Sequence, residues 1–386
     1  VDDDATLRNL IEANTSAVCI VAKSSEYQVV EALQTTLDEG AAMIADSVEF
    51  LTGQGRMVLV DLEHFFDGYK ANPEFSLRAI EAAVVNGASH LVLCDTNGGT
   101  LPSEVHRIVA DVKAHVGDDA VIGIHCHDDT GCAVANSMAA VEAGAGHVQG
   151  TLNGLGERTG NTNLTTVIPN LQLKLGYTCL PDGRIERLTA VSHHVAETLN
   201  RAVNPQAPYV GSSAFAHKAG LHVSAIVRAK DAYEHVDPEL VGNGTRFVVS
   251  EMAGRATIQM KADEVGIDLD GAQINEVIDE LKRLEHEGYH FEAADASLEL
   301  LMRRAAGQVP EFFRVESMRV ITDELPGGEF STEATVKVWV GDGDDAERRV
   351  WVAEGNGPVN AIDTALRKAV GTMLPELSDI HLTDYK

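Results

Sequence analysis

The sequence predicts an α/β fold: a (β/α)8 barrel, here lacking its first three strands, then helical linker subdomains, then a partial α+β domain. Three observations point there. Short apolar runs alternate with helical patterns about every 30 residues, the size of a βα repeat. The runs are continuously apolar, as suits parallel strands covered on both faces. Polar residues collect at the C-terminal end of each run, where a barrel places its active site. A doubly wound sheet would gather them at one crevice instead.

The runs are 17–22, 57–63, 90–95, 121–127 and 147–153. Stretches 73–86, 101–115 and 132–143 between them read as helices. The strand-end residues are Lys23, Glu63 with His64, Asp95 to Asn97, His125 with His127, and Asn153. Five βα units fit before about residue 175, and then the pattern changes. Residues 176–211 are mixed and helical, with Pro181-Asp182-Gly183 as a turn. In 273–286, Ile274, Val277, Ile278, Leu281 and Leu284 recur at helical spacing. Ala334, Val336, Val338 and Val340 then alternate with Thr335, Lys337 and Trp339, a half-buried strand. A second strand at 350–353, a Gly-rich turn and a helix over 360–370 follow. The predicted domains are 1–175 (barrel), 176–311 (linker) and 312–386 (a separate small α+β module).

The net charge is −29, from 30 Lys+Arg against 59 Asp+Glu. That argues against a nucleic-acid partner, which needs clustered basic residues. No run of about 18 apolar residues predicts a membrane span. The acidic start, Val1-Asp2-Asp3-Asp4, does not read as a signal peptide. The five cysteines are odd in number and widely spaced, and Cys19, Cys94 and Cys126 lie in apolar runs. They read as buried, reduced thiols of a cytoplasmic protein. No G-x-S-x-G or G-K-[ST] motif supports a serine hydrolase or a P-loop enzyme.

Residues i and i+2 of a strand share a face, so His125 and His127 point together and Cys126 points away. Two imidazoles at a barrel's open end suit a divalent metal, with further ligands coming from other strands. Asp128 and Asp129 are placed to orient the rings. The loop Asn153-Gly-Leu-Gly-Glu157-Arg158-Thr-Gly-Asn161 is not a dinucleotide fingerprint. Asn161 could give its amide oxygen to a hard cation; the plainer reading is a turn with a Glu157–Arg158 surface pair. Glu63 in Asp61-Leu-Glu63-His64 could act as a base or hold a proton. Thr96 could bind a substrate carboxylate, whereas Asp95 reads as a cap or Asx turn before the next helix. His217 and His222 in one short segment are candidate proton carriers.

Together, His125-x-His127, Asn153-Gly-x-Gly-Glu-Arg-Thr-Gly-Asn161 and His217-Lys-Ala-Gly-Leu-His222 resemble the acyltransferases that add acetyl-CoA to a 2-keto acid. These are the isopropylmalate, homocitrate and citramalate synthases, built on a metal-dependent TIM barrel. Glu63-His-Phe-Phe-Asp-Gly-Tyr69, Asp95-Thr-Asn-Gly-Gly-Thr-Leu-Pro102, Gly211-Ser-Ser-Ala-Phe-Ala-His-Lys-Ala-Gly220 and Glu292-Ala-Ala-Asp-Ala-Ser297 look most like the citramalate synthases. The likeness runs over essentially the whole chain.

The resemblance implies roles residue by residue. His125 and His127 match the family's metal ligands, and Asn161 an asparagine on or near the metal, which is Mg, Mn or Zn. Thr96 matches the threonine that binds the keto-acid carboxylate, and Glu63 the glutamate of the substrate pocket. His222 matches the histidine that deprotonates the acetyl group, and Tyr233 the tyrosine assisting it, both on a linker reaching the partner barrel of a homodimer. The implied reaction is a Claisen-type condensation of acetyl-CoA with pyruvate to citramalate, on the route to isoleucine, with amino-acid feedback through the last domain. The alternatives are a larger keto acid, as in isopropylmalate or homocitrate synthase, and a chain without turnover. One departure stands out: the family's opening Asp-x-x-x-Arg-Asp-Gly strand is not in this sequence, so a further Asp ligand is expected upstream of Val1.

Overall fold

The computed structural model describes residues 4–217, 225–226, 228–229, 232–247, 254–289, 291, 294–309, 312–341 and 346–381. They form two compact units, one ending at Phe247 and the other covering the described residues from 254 onward.

The first unit opens with helix α1 (Ala5–Glu12) and is built on five parallel strands: β1 (Ala17–Lys23), β2 (Met57–Glu63), β3 (His90–Asp95), β4 (Val121–Cys126) and β5 (His147–Gln149). They lie side by side in chain order, as in a (β/α)8 barrel. Helices α2 (Leu37–Gly53), α3 (Phe65–Ala71), α4 (Pro73–Val85), α5 (Pro102–Val116) and α6 (Ala133–Glu142) supply the crossovers. Val58, Val60, Leu62, Leu91, Leu93, Ile122 and Ile124 join helix residues such as Ile44, Val48, Ile80, Ile108 and Val109 in one buried cluster. Fully burying each such side chain contributes roughly 1.5–3 kcal/mol. The other face of β2 carries Leu59, Asp61 and Glu63, all half-buried. Register sets Lys23 beside Glu63, and His125 between Cys94 and Gln149.

Two expectations change here. The run 147–153 is a strand only to Gln149, because the chain beyond it leaves β4 and pairs with the returning loop, Thr151 N donating to Thr162 O at 3.0 Å. Cys19 is exposed rather than buried, because β1 pairs on one side only among the described residues; its thiol donates to Asp61 Oδ1 at 3.2 Å. All five cysteines are free.

Helices α7 (Leu164–Pro169) and α8 (Leu188–Thr198) follow, then a short parallel pair, β6 (Ala216–His217) and β7 (Arg246–Phe247). Ile185, Leu188, Tyr209, Val210, Phe215 and Val241 form their core. In the second unit, α9 (Arg255–Glu264), α10 (Gly271–His286) and α11 (Asp295–Ala305) pack around Ile258, Val277, Leu281 and Leu298. Asp270 and Gln273 close a capping box that starts α10. Strands β8 (Phe313–Glu324), β9 (Phe330–Val340) and β10 (Glu347–Gly355) form an antiparallel sheet in the order β10-β9-β8. Ala334, Val336, Val338 and Val340 are buried with Ala361, Ala365 and Ala369 of α12 (Pro358–Val370), as the period-two pattern requires.

Candidate active site

The rim at the C-terminal ends of β1 to β5 gathers most of the polar residues singled out above. His125 and His127 share a face, with ring centroids 5.4 Å apart, and Cys126 is buried on the other side. His125 is held at both nitrogens. Its Nδ1 is 2.7 Å from Gln149 Oε1, and its Nε2 is 3.0 Å from Asn161 Nδ2. Gln149 Nε2 in turn donates to Asp61 Oδ1 at 2.8 Å. His127 Nδ1 is buried without a hydrogen-bond partner. Burial, the neighbouring His125 ring and Arg158 hold the His127 imidazole below its ordinary pKa. His127 therefore favours its neutral form, the form in which an imidazole can ligate a metal.

The loop after β5 is folded back onto β4. Asn161 pairs with His127 as an isolated bridge, Thr162 N donates to Cys126 O at 2.9 Å, and Asp128 N donates to Gly160 O at 3.0 Å. Two glycines permit this. A Cβ at Gly160 would lie 2.0 Å from Gly154 O, and one at Gly156 would lie 1.9 Å from Asn161 Oδ1. Asn153 is locked to α8 through Ser192, whose Oγ donates to Asn153 Oδ1 at 2.6 Å.

Arg158 is more than half of a surface pair. It does face Glu157 at 3.7 Å. It also grips Asp129 with two nitrogens, at 2.8 and 2.9 Å, and donates to Thr96 O at 2.7 Å. That ties the β5 loop to the ends of β3 and β4. The two aspartates after His127 do not orient the rings, contrary to expectation. Past the strand end the period-two facing lapses: Asp128 accepts from Ala133 N at the start of α6, and Asp129 turns to Arg158. Asp95 is the expected Asx acceptor; it is buried and takes hydrogen bonds from Thr100 N and Oγ1.

Thr96 Oγ1 accepts from His64 N at 2.8 Å, which leaves its hydroxyl hydrogen free to donate to a ligand. Glu63 forms an ion pair with Lys23 at the ends of neighbouring strands. His64, Asn153 and Arg158 all take left-handed backbone conformations, with φ of 56°, 60° and 52°. For non-glycine residues such positions are uncommon and cluster at functional sites.

The linker residues are less complete. His222 lies outside the described residues. Tyr233 is half-exposed. His217, in β6, has its Nε2 3.7 Å from Glu234 Oε1, and Glu234 Oε1 accepts from Thr245 Oγ1 at 2.5 Å. The structure thus joins Thr96, His125, His127 and Asn161 at one rim, with Glu63 on the same side of the sheet. It adds Asp61, Gln149, Asp129 and Arg158, to which the sequence reading gave no such part. The sequence was expected to hold no H-E-x-x-H motif, but His286-Glu287-Gly288-Tyr289-His290 has that zinc-protease spacing. That motif needs a continuous helix, whereas α10 ends at His286 and Gly288 takes φ 99°.

Among the described residues, no three His, Cys, Asp or Glu side chains converge into a metal cluster. The groups that could hold a divalent cation are His125, His127 and Asn161. The unpaired buried nitrogen of His127 fits such a ligand. No helix among the described residues is long and apolar enough to cross a membrane.

Comparison with known proteins extends over the whole chain. Residues 2–195 match the HMGL-like family, 209–289 the homocitrate synthase post-HMGL domain-like family, and 292–386 the LeuA allosteric (dimerisation) domain. The chain is 52% identical over its full length to an (R)-citramalate synthase of Streptomyces coelicolor, covering 71% of that protein. It is 47% identical to that of Aquifex aeolicus (73% covered) and 48% identical to that of Synechocystis sp. (72% covered), again over all of this chain. On this kinship the chain belongs to the (R)-citramalate synthase family, acyltransferases built on the HMGL-like barrel.

Proposed function

We propose that this chain condenses acetyl-CoA with pyruvate and, with one water, yields (R)-citramalate and free CoA. The observation that carries this reading is the convergence of His125, His127 and Asn161 with Thr96 at one strand-end rim of a chain in this family. His125, His127 and Asn161 would hold a divalent cation, Mg, Mn or Zn. Such a cation acts as a Lewis acid on the keto-acid carbonyl.

The chain's own groups do the rest. The Thr96 hydroxyl donates to the pyruvate carboxylate. Glu63, held by Lys23, forms part of the pocket wall and keeps a fixed negative charge there. His222 takes a proton from the acetyl methyl group, assisted by Tyr233. The resulting nucleophilic carbon forms the new C–C bond to the pyruvate carbonyl carbon as the carbonyl π bond breaks, its electron pair going to the oxygen, which takes up a proton to become the citramalate hydroxyl. Water then cleaves the thioester C–S bond and CoA leaves as the thiol. The linker bearing His222 and Tyr233 serves the barrel of a partner subunit in a homodimer, and the LeuA-type domain supports that assembly and amino-acid feedback by an end product of isoleucine synthesis. A reducing, cytoplasmic setting fits the free thiols.

Release of CoA thiol with pyruvate, 2-ketoisovalerate and 2-oxoglutarate tests the reading. Pyruvate is expected to give the highest kcat/KM; if it is the poorest of the three, the substrate assignment is wrong. His127→Ala should abolish both turnover and bound metal, and unchanged metal content would remove His127 from the ligand set.

A further inference from the structure

We propose that Asp61 and Gln149 are positioning residues that fix His125 in the tautomer whose bare Nε2 faces Asn161 and the cation position. The inference rests on the reading of His125 as a ligand only for its purpose, not for its geometry.

The chain of contacts has one direction. Asp61 Oδ1 accepts from Cys19 Sγ at 3.2 Å and from Gln149 Nε2 at 2.8 Å. An ionised carboxylate only accepts, so the Gln149 amide must turn its NH2 toward Asp61. Its carbonyl oxygen is thereby turned to His125 Nδ1, 2.7 Å away. An acceptor at that distance requires Nδ1 to carry the proton. In the neutral ring Nε2 is then bare, and it meets the Asn161 amide NH2 at 3.0 Å. The amide orientation is settled by the anion and not by the histidine. Without Asp61 the Gln149 amide could flip, donate to Nδ1, and leave Nε2 protonated.

The relay crosses the sheet. It links β2 to β5, a pair that tertiary structure sets, and then passes to β4 by the neighbouring register that places Gln149 beside His125, with Cys19 of β1 behind it. Partial desolvation against the sheet, and then Asp61, push the Cys19 thiol up to about 12, so Cys19 remains an S–H donor to the carboxylate. Outer partners of this kind orient metal-binding histidines, and their loss typically costs 10–100-fold in metal affinity.

Nitrogen-15 NMR of the histidine-labelled, metal-free chain tests this, with the His125 signal identified by its loss in His125→Gln. The expected spectrum has protonated Nδ1 and bare Nε2. Gln149→Leu and Asp61→Leu should move His125 toward the Nε2-protonated form and weaken Mn2+ binding on the order of 10–100-fold. Asp61→Asn, which keeps an acceptor oxygen, should lie between. An Nε2-protonated ring in the unaltered chain overturns the proposal. So does a Gln149→Leu variant with unchanged tautomer and unchanged Mn2+ affinity. If His125→Gln binds Mn2+ as the parent does, the ligand reading fails, while the tautomer measurement still decides the relay. Should Asp61→Leu not fold, the parent spectrum and Gln149→Leu carry the test.

Discussion

Gly156→Ala isolates the one contact that aims the Asn161 amide. Gly156 is not among the residues with positive φ, so alanine meets no backbone strain there. The added methyl would lie 1.9 Å from Asn161 Oδ1, 2.9 Å from its Cγ and 3.0 Å from its backbone nitrogen. Ordinary contact begins near 3.4 Å, so the amide oxygen must retreat by roughly 1.5 Å. The 3.0 Å hydrogen bond from Nδ2 to His125 Nε2 does not survive such a swing. Losing the bond costs about 1 kcal/mol, and crowding a packed loop about 1–3 kcal/mol more. Replacing a glycine returns roughly 0.4–1 kcal/mol by restricting the unfolded chain. The expected net loss is about 1–3 kcal/mol, read as a fall of several degrees in Tm. Because the displaced atom is the Asn161 oxygen proposed as a ligand, Mn2+ binding, followed by titration calorimetry, should weaken on the order of 10–100-fold. An alanine variant that binds Mn2+ and melts like the parent would refute the geometry on which this argument depends. Gly160→Ala is the contrast: at φ 106° and 2.0 Å from a backbone oxygen, it should disrupt the loop's folding itself.

Arg158→Ala should release the β5 loop from Asp129 and Thr96; kcat/KM for the keto acid is expected to fall roughly 10–100-fold, with little change in Tm because the pair is solvent-exposed. Unchanged steady-state kinetics would dismiss the tie as surface decoration. Asp95→Ala leaves the buried Thr100 N–H and O–H without their acceptor and should destabilise the chain by about 1–3 kcal/mol in urea unfolding. His147 and His235 are both held below the ordinary 6.5, chiefly by burial, with His90 and Lys174 adding to it respectively. Each is neutral when folded but binds a proton more readily when unfolded. Their contribution to stability is therefore intact above pH 6.5 and lost as pH falls below it. Tm should decline from about pH 6.5 downward, less steeply in His147→Gln, and an identical slope in that variant would rule His147 out.

The strands were legible because each carries a continuous apolar run that parallel pairing demands, and four of the five strands match their runs at both ends within a residue. Strand β8 was not legible. Most of its residues are exposed, and the bulge between Val315 and Ser317 puts Phe313 and Val315 out of step with Met318 and Val320, so no sustained apolar alternation is left to read. At the site, period two was enough to put His125 and His127 on one face, and glycine spacing was enough to mark the tight loop. What escaped was everything set by distance along the chain. Arg158 meets Asp129 across 29 residues and Gln149 meets Asp61 across 88, and no local pattern distinguishes a mid-run glutamine from its neighbours. Asp128 and Asp129 stand next to His127 in sequence, but adjacency does not decide a side chain's partner: one accepts from Ala133 N and the other from Arg158.

The charge of the rim bears on the order of events in the proposed reaction. The chain carries −29 overall. At the described strand ends, Lys23 is engaged by Glu63 and Arg158 by Asp129, while Asp61 adds a carboxylate behind His125. The His127 imidazole, held below its ordinary pKa by burial and its neighbours, contributes a lone pair but no charge in its neutral form. A keto-acid anion approaching these groups therefore meets hydrogen-bond donors, of which the Thr96 hydroxyl is one, in a field of unfavourable sign. A divalent cation held by His125, His127 and Asn161 would reverse that sign at the point where the carboxylate and carbonyl must sit. The coupling is necessarily reciprocal: the factor by which the cation tightens keto-acid binding is the factor by which the keto acid tightens cation binding. A site with few protein ligands can thus hold its metal weakly in the resting chain and firmly once the substrate is bound.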